Sequence, residues 1–120
     1  MGTEESIANQ RNGSTSVTFD EYQAAALRTA NPNLDLVYAL AKLCVESGEA
    51  LQLDCKRHYH GKSYTREQMI DELGDVQWYL ALAAQELDTT LDEIAAANID
   101  KLRARHGDTY NAAHYTGEAR

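Results

Sequence analysis

Apolar residues recur along this chain at helical spacing, three and four positions apart, rather than in the strict alternation of strands. Runs such as YQAAALRTA and LALAAQEL add the residue types that lose least entropy in a helix, and breakers are scarce, with one proline and seven glycines. Four start signals divide the pattern. TFDE at 18–21, TREQ at 65–68 and TLDE at 90–93 have the form of a capping box, and Asn33 after Asn31-Pro32 is a plausible cap for a further helix. The expected helices span about 18–30, 34–58, 65–87 and 90–106, with Gly61 and Gly107 as stops. The short HGKSY connection makes the two long helices antiparallel neighbours. The fold class is therefore all-α, a four-helix bundle.

The second helix carries two apolar stripes. Leu34, Val37, Ala41, Cys44, Gly48, Leu51 and Cys55 form one, and Leu36, Leu40 and Leu43 the other, although one stripe would satisfy a small bundle. In the third helix, VQWYLALAA is apolar nearly all round, more than a monomer of this size could easily cover. Both features predict a homo-oligomer, most simply a dimer.

At 120 residues and 43% hydrophobic content, the chain suits one domain. Residues 1–16 have little to bury and read as a flexible arm, 17–108 as the helical domain, and 109–120 as a tail without a clear period. A net charge of −8 argues against a nucleic-acid polymer as partner, while leaving room for a small metal-complexed anion. KLRAR at 101–105 is a basic stretch that either complements a helix C-terminus or brings positive charge to a site. Cys44 and Cys55 do not form a C-x-x-C pair, so they are expected as reduced core thiols in a cytoplasmic protein. No run is long enough to span a membrane, and MGTEES matches a myristoylation pattern only formally.

Candidate chemistry changes this picture most. Glu46 and Glu49, then Glu72 and Asp75, place carboxylates three residues apart on the two most apolar helices. Residues i and i+3 share a helix face, so antiparallel packing lets the two pairs confront one another. Their repulsion calls for a cation, and oxygen-only ligands suit Mg²⁺ or Mn²⁺ rather than zinc. A di-iron bundle would need Glu-x-x-His, a spacing absent from this sequence. The alternative, that the acids are solvated helix faces, is weakened by finding two pairs. Tyr79, one turn past Asp75, and Lys56, two turns past Glu49, project toward the cluster rim and could hold phosphate oxygens. Asn98, Lys101 and Arg105 share a face of the fourth helix; Asn98 either serves as a core hydrogen-bonder or looks into the site.

The ordered set Glu46-x-x-Glu49, Glu72-x-x-Asp75 in ELGDVQWYL, and NIDKLRARHGD resembles the MazG-like all-α nucleoside triphosphate pyrophosphohydrolases over most of residues 34–108. The resemblance implies Mg²⁺ on the four acids, with Mn²⁺ as substitute, and cleavage of a nucleoside triphosphate between its α- and β-phosphates. It also implies a homodimer or homotetramer with sites at subunit contacts. Glu49 is then the candidate general base, and Lys56, Tyr79, Lys101 and Arg105 would neutralise the departing pyrophosphate. Trp78 is available for base stacking, or belongs to the core. RARHGD lacks the proline that often follows in the family, which leaves the path of the tail open. A bundle that keeps the cluster but only senses nucleotide or metal is the alternative function.

Overall fold

The computed structural model describes residues 16–115, and their helices are α1 (Phe19–Ala26), α2 (Leu36–His60), α3 (Arg66–Glu86) and α4 (Leu91–His106), with single 3-10 turns at Leu27–Thr29 and Ala112–Tyr115. No strand occurs among these residues. The arm expected at 1–16 lies almost wholly outside them.

The caps explain the boundaries. Thr18 and Thr65 form complete capping boxes with Glu21 and Gln68. At α4 only half the device forms: Thr90 Oγ1 accepts from the Glu93 amide, while Glu93 turns its carboxylate to the Thr89 hydroxyl at 2.6 Å. The cap of α2 is Asp35, not Asn33, and its Oδ1 accepts from the Tyr38 amide at 2.9 Å. Asn33 is unsuited because its own amide is turned back onto the Asn31 side chain, which delays the helix start. Gly61 ends α2 in the left-handed region at φ 65°, a conformation glycine adopts without steric cost.

The most extensive packing joins α2 and α3, which run antiparallel through the 61–65 connection. Asp54 fastens this hairpin, accepting a forked pair from Arg57 at 2.9 and 3.3 Å and the Tyr64 hydroxyl at 2.6 Å. Those bonds favour the charged form and hold the Asp54 carboxyl down at about 2. The hairpin end also carries Lys56, Arg57, Lys62 and Arg66, a second basic cluster besides KLRAR.

The core sits at the opposite end, where Leu27, Ala39, Ala81, Leu82, Ala83, Ala84 and Leu91 are buried. Gln23 ties α1 to the α3–α4 turn, donating to the Thr89 carbonyl and accepting from the Leu91 amide. Trp78 donates from Nε1 to the Ala26 carbonyl at 3.0 Å. Thus VQWYLALAA, expected to overflow a monomer, is the best-covered stretch of the single chain, because α1 and α4 close over the side that α2 leaves open.

The surplus apolar surface lies elsewhere. Of the first stripe read from the sequence, Val37, Ala41, Cys44, Gly48 and Leu51 are exposed, Val37 at 75% and Leu51 at 64%, while Leu34 packs against the core and Cys55 is half-buried. Cys44 is consequently not a core thiol and Cys55 is half-buried; both are free. Eleven residues along one helix separate them by about 16 Å, too far for a disulfide.

Candidate metal centre

Among the buried and half-buried residues of α2 are Ala39, Leu43, Glu46, Ala50 and Leu53, and among those of α3 are Met69, Glu72, Val76, Tyr79 and Ala83. Each set steps by three and four, the seam of two helices packed side by side. One acid stands at a seam position in each. Glu46 therefore points at α3 because Leu43 and Ala50 above and below it must do so, and Glu72 meets it for the same reason. Asp75 flanks the seam one turn from Glu72.

Carboxylate oxygens of Glu46, Glu72 and Asp75 lie within 4.8 Å of one another. Glu46 keeps only 12% of its side chain exposed. Its Oε2 and the Oε2 of Glu72 are buried without a hydrogen-bond partner. A buried acceptor left unsatisfied costs about 1–3 kcal/mol, more when charged, so the arrangement fits a site shaped for a cation. Three converging hard oxygen donors, with neither thiolate nor imidazole among them, fit a divalent ion of the Mg²⁺ or Mn²⁺ kind.

Titration behaviour agrees with crowding of like charge. The Glu46 carboxyl is raised above the ordinary range, chiefly by a hydrogen bond shared with Glu49, then by burial and the Glu49 charge, against a lowering by Lys42. Burial raises Asp75, with the charges of Asp71 and Glu46 adding to it. Two flanking phenols are also pushed up. For Tyr79 the causes are burial, then Tyr38, then Glu46 and Asp75; for Tyr22 they are burial and Asp75, opposed by a hydrogen bond with Gln77.

Of the sequence-predicted residues, Glu46, Glu72, Asp75 and Tyr79 are thus assembled in one place. Glu49 is exposed and adjoins the cluster through Glu46 rather than contributing an oxygen to the close triad. Lys56 is exposed on the last two turns of α2, toward the hairpin end. Asn98, Lys101 and Arg105 are exposed on the distal part of α4, a helix that packs by its first turns, where Leu91 is buried and Ile94 half-buried. Within one chain they are not brought to the cluster. Trp78 belongs to the core through its bond to α1.

Sequence reasoning missed Lys42 and Tyr38. Lys42 Nζ lies 3.8 Å from Glu46 Oε1 and 5.6 Å from the centre of the Tyr79 ring, and Tyr38 packs its ring 6.3 Å from that of Tyr79. Both were legible as residues one and two turns before Glu46 on its own side of the helix.

With this geometry in view, comparison with known proteins gives the class. Residues 36–110 match the model of the MazG nucleotide pyrophosphohydrolase domain. The match covers more than half of the chain, which belongs to the MazG family. The Gene 37 protein of Mycobacterium phage L5 is similar, 42% identical over 40 residues that make up 33% of this chain and 35% of that protein. The chain thus matches about a third of the length of this curated relative. No solved structure matches.

Proposed function

We propose that the protein is a divalent-metal-dependent nucleoside triphosphate pyrophosphohydrolase, cleaving ribo- or deoxyribonucleotides between the α- and β-phosphates to give a monophosphate and pyrophosphate. The observation that carries this reading is the pair of buried, unpartnered oxygens, Glu46 Oε2 and Glu72 Oε2, beside Asp75 in a chain of the MazG family.

Glu46, Glu72 and Asp75 would hold Mg²⁺, with Glu49 completing the set from the rim. When bound, the ion supplies charge neutralisation of triphosphate oxygens and acidification of water. Glu49, exposed and next to Glu46, would accept the proton of the attacking water. The Tyr79 hydroxyl, a donor whose ionisation is suppressed by burial, orients a phosphate oxygen. Lys56 would add charge from the same helix.

Asn98, Lys101 and Arg105 fit a site completed by a neighbouring subunit. A homodimer, or a tetramer of dimers, is supported by the exposed stripe Val37, Ala41, Cys44, Gly48 and Leu51 and by Ile99 and Leu102, 47% and 44% exposed. Among the described residues no helix is long and apolar enough to cross a membrane, and free thiols suit a cytoplasmic setting. Pyrophosphate release from a nucleotide panel, with and without Mg²⁺, tests the proposal and separates it from a non-catalytic sensor.

A further inference from the structure

The geometry points to Lys42 as a resident counter-cation of the acid cluster, one that holds Glu46 in the metal-free protein and competes with the divalent ion for it. The inference rests on the metal-site reading above and adds a regulation of that site by the chain's own charge.

Lys42 and Glu46 stand one turn apart on α2, with Nζ 3.8 Å from Oε1. The other oxygen, Oε2, is buried and unpartnered. Glu46 thus has one oxygen beside an ammonium, while its carboxylate also belongs to the 4.8 Å cluster with Glu72 and Asp75. Among the ion pairs between described residues, this is the one that reaches the cluster; the others join Arg57 to Asp54 and Arg103 to Asp108. Glu46, Glu72 and Asp75, with Glu49 and Asp71 beside them, therefore form an acidic cluster to which, among the described residues, Lys42 is ion-paired.

A lysine held this near a dication cannot stay without repelling it. Lys42 has somewhere to go: two-thirds of its side chain is covered, and its ammonium already lies 5.6 Å from the Tyr79 ring centre, a position favourable for a cation. A small swing toward that ring releases Glu46 Oε1 and keeps the stem packed. The flexible stem of lysine suits such a change of partner, whereas a surface pair fixed for stability alone would contribute little.

The experiment is calorimetric titration of the full-length protein with Mn²⁺, without nucleotide. Lys42→Met, which keeps the apolar stem, should bind Mn²⁺ about three- to tenfold more tightly than wild type, the scale of removing one nearby charge in a solvated site. Lys42→Arg should restore wild-type affinity, and Lys62→Met, in the hairpin connection, should leave it unchanged. A metal-free thermal melt should place Lys42→Met below wild type and saturating Mn²⁺ should close that gap. Lys42→Gln serves as a second neutral variant if Lys42→Met does not fold. Unchanged or weaker Mn²⁺ binding by the neutral variant overturns the counter-cation role while leaving the metal site standing. Absence of Mn²⁺ binding by wild type overturns the metal site itself.

Discussion

Glu46 of α2 and Glu72 of α3 meet across the helix seam, each with its Oε2 buried and unpartnered and with their oxygens in the same 4.8 Å cluster as Asp75. Like-charged groups in such a place oppose folding unless they are neutralised. That relationship is the source of the expected effects.

Neutralising one acid should separate stability from activity. Asp75→Asn and Glu49→Gln should each lower turnover by roughly two or more orders of magnitude, as when a metal ligand or general base is lost. In the metal-free state neither should melt below wild type, since each relieves repulsion. Asp75→Asn should also weaken Mn²⁺ binding more than Glu49→Gln, because Asp75 contributes to the close triad. Near-normal turnover in both variants would remove the four acids from the mechanism.

The pH dependence of the metal-free protein should have an unusual sign. Glu46 and Asp75 titrate above their unfolded values, so the folded state binds their protons more tightly. Stability is favoured below the unfolded carboxylate range and declines as pH rises through the elevated folded values. Asp54 acts oppositely: held at about 2, it stabilises above its unfolded value of about 3.8 and loses this as pH falls toward 2. Melts between pH 3 and 7 should therefore decline toward neutrality without metal, and Mg²⁺ should abolish the decline. In Asp75→Asn it should be shallower.

Much of this architecture was legible in the chain. Threonine caps with Glu21 and Gln68, the left-handed stop at Gly61 and the three-residue acid spacing are local signals, and local geometry answers to them. What escaped depended on which helix lies against which. Of the two apolar stripes of α2, the Val37–Leu51 stripe was the more regular, yet it faces solvent, since α3 packs on the side that carries Ala39, Leu43 and Ala50. Asn33 and Asp35 could each have capped α2, and only the Asn31 turn decides between them. The seam itself could have been read from 39-43-46-50-53 and 69-72-76-79-83, which put Glu46 and Glu72 at core positions. Lys42 then follows as the nearest cation.

The core at the other end supplies a stability control. Leu82 is 1% exposed, the largest fully buried side chain of the described residues, and Leu82→Ala should cost about 2–5 kcal/mol. Trp78→Phe removes the hydrogen bond to Ala26 and should cost about 0.5–1.5 kcal/mol beyond its packing loss. Chemical denaturation measures both. If Trp78 instead stacks on the nucleotide base, Trp78→Phe would raise KM without lowering the unfolding midpoint.

Lys101 tests whether a neighbour completes the site. As a phosphate contact it should, on Lys101→Ala, lower kcat/KM by about ten- to a hundredfold with the melting temperature barely moved. As a dipole partner alone it would cost about 0.3–1 kcal/mol of stability and leave kinetics unchanged. Light scattering should find a dimer or larger assembly at micromolar concentration; a monomer retaining activity would contradict sharing.

The most direct test of the account is pyrophosphate release by the purified full-length protein from a panel of ribo- and deoxyribonucleoside triphosphates, with Mg²⁺ and after its removal by chelation. The account predicts one pyrophosphate and one monophosphate per turnover, activity abolished by chelation and restored by Mg²⁺ or Mn²⁺, and loss of activity in Asp75→Asn. Release of inorganic phosphate instead, or pyrophosphate release that persists in chelator or in Asp75→Asn, would contradict it.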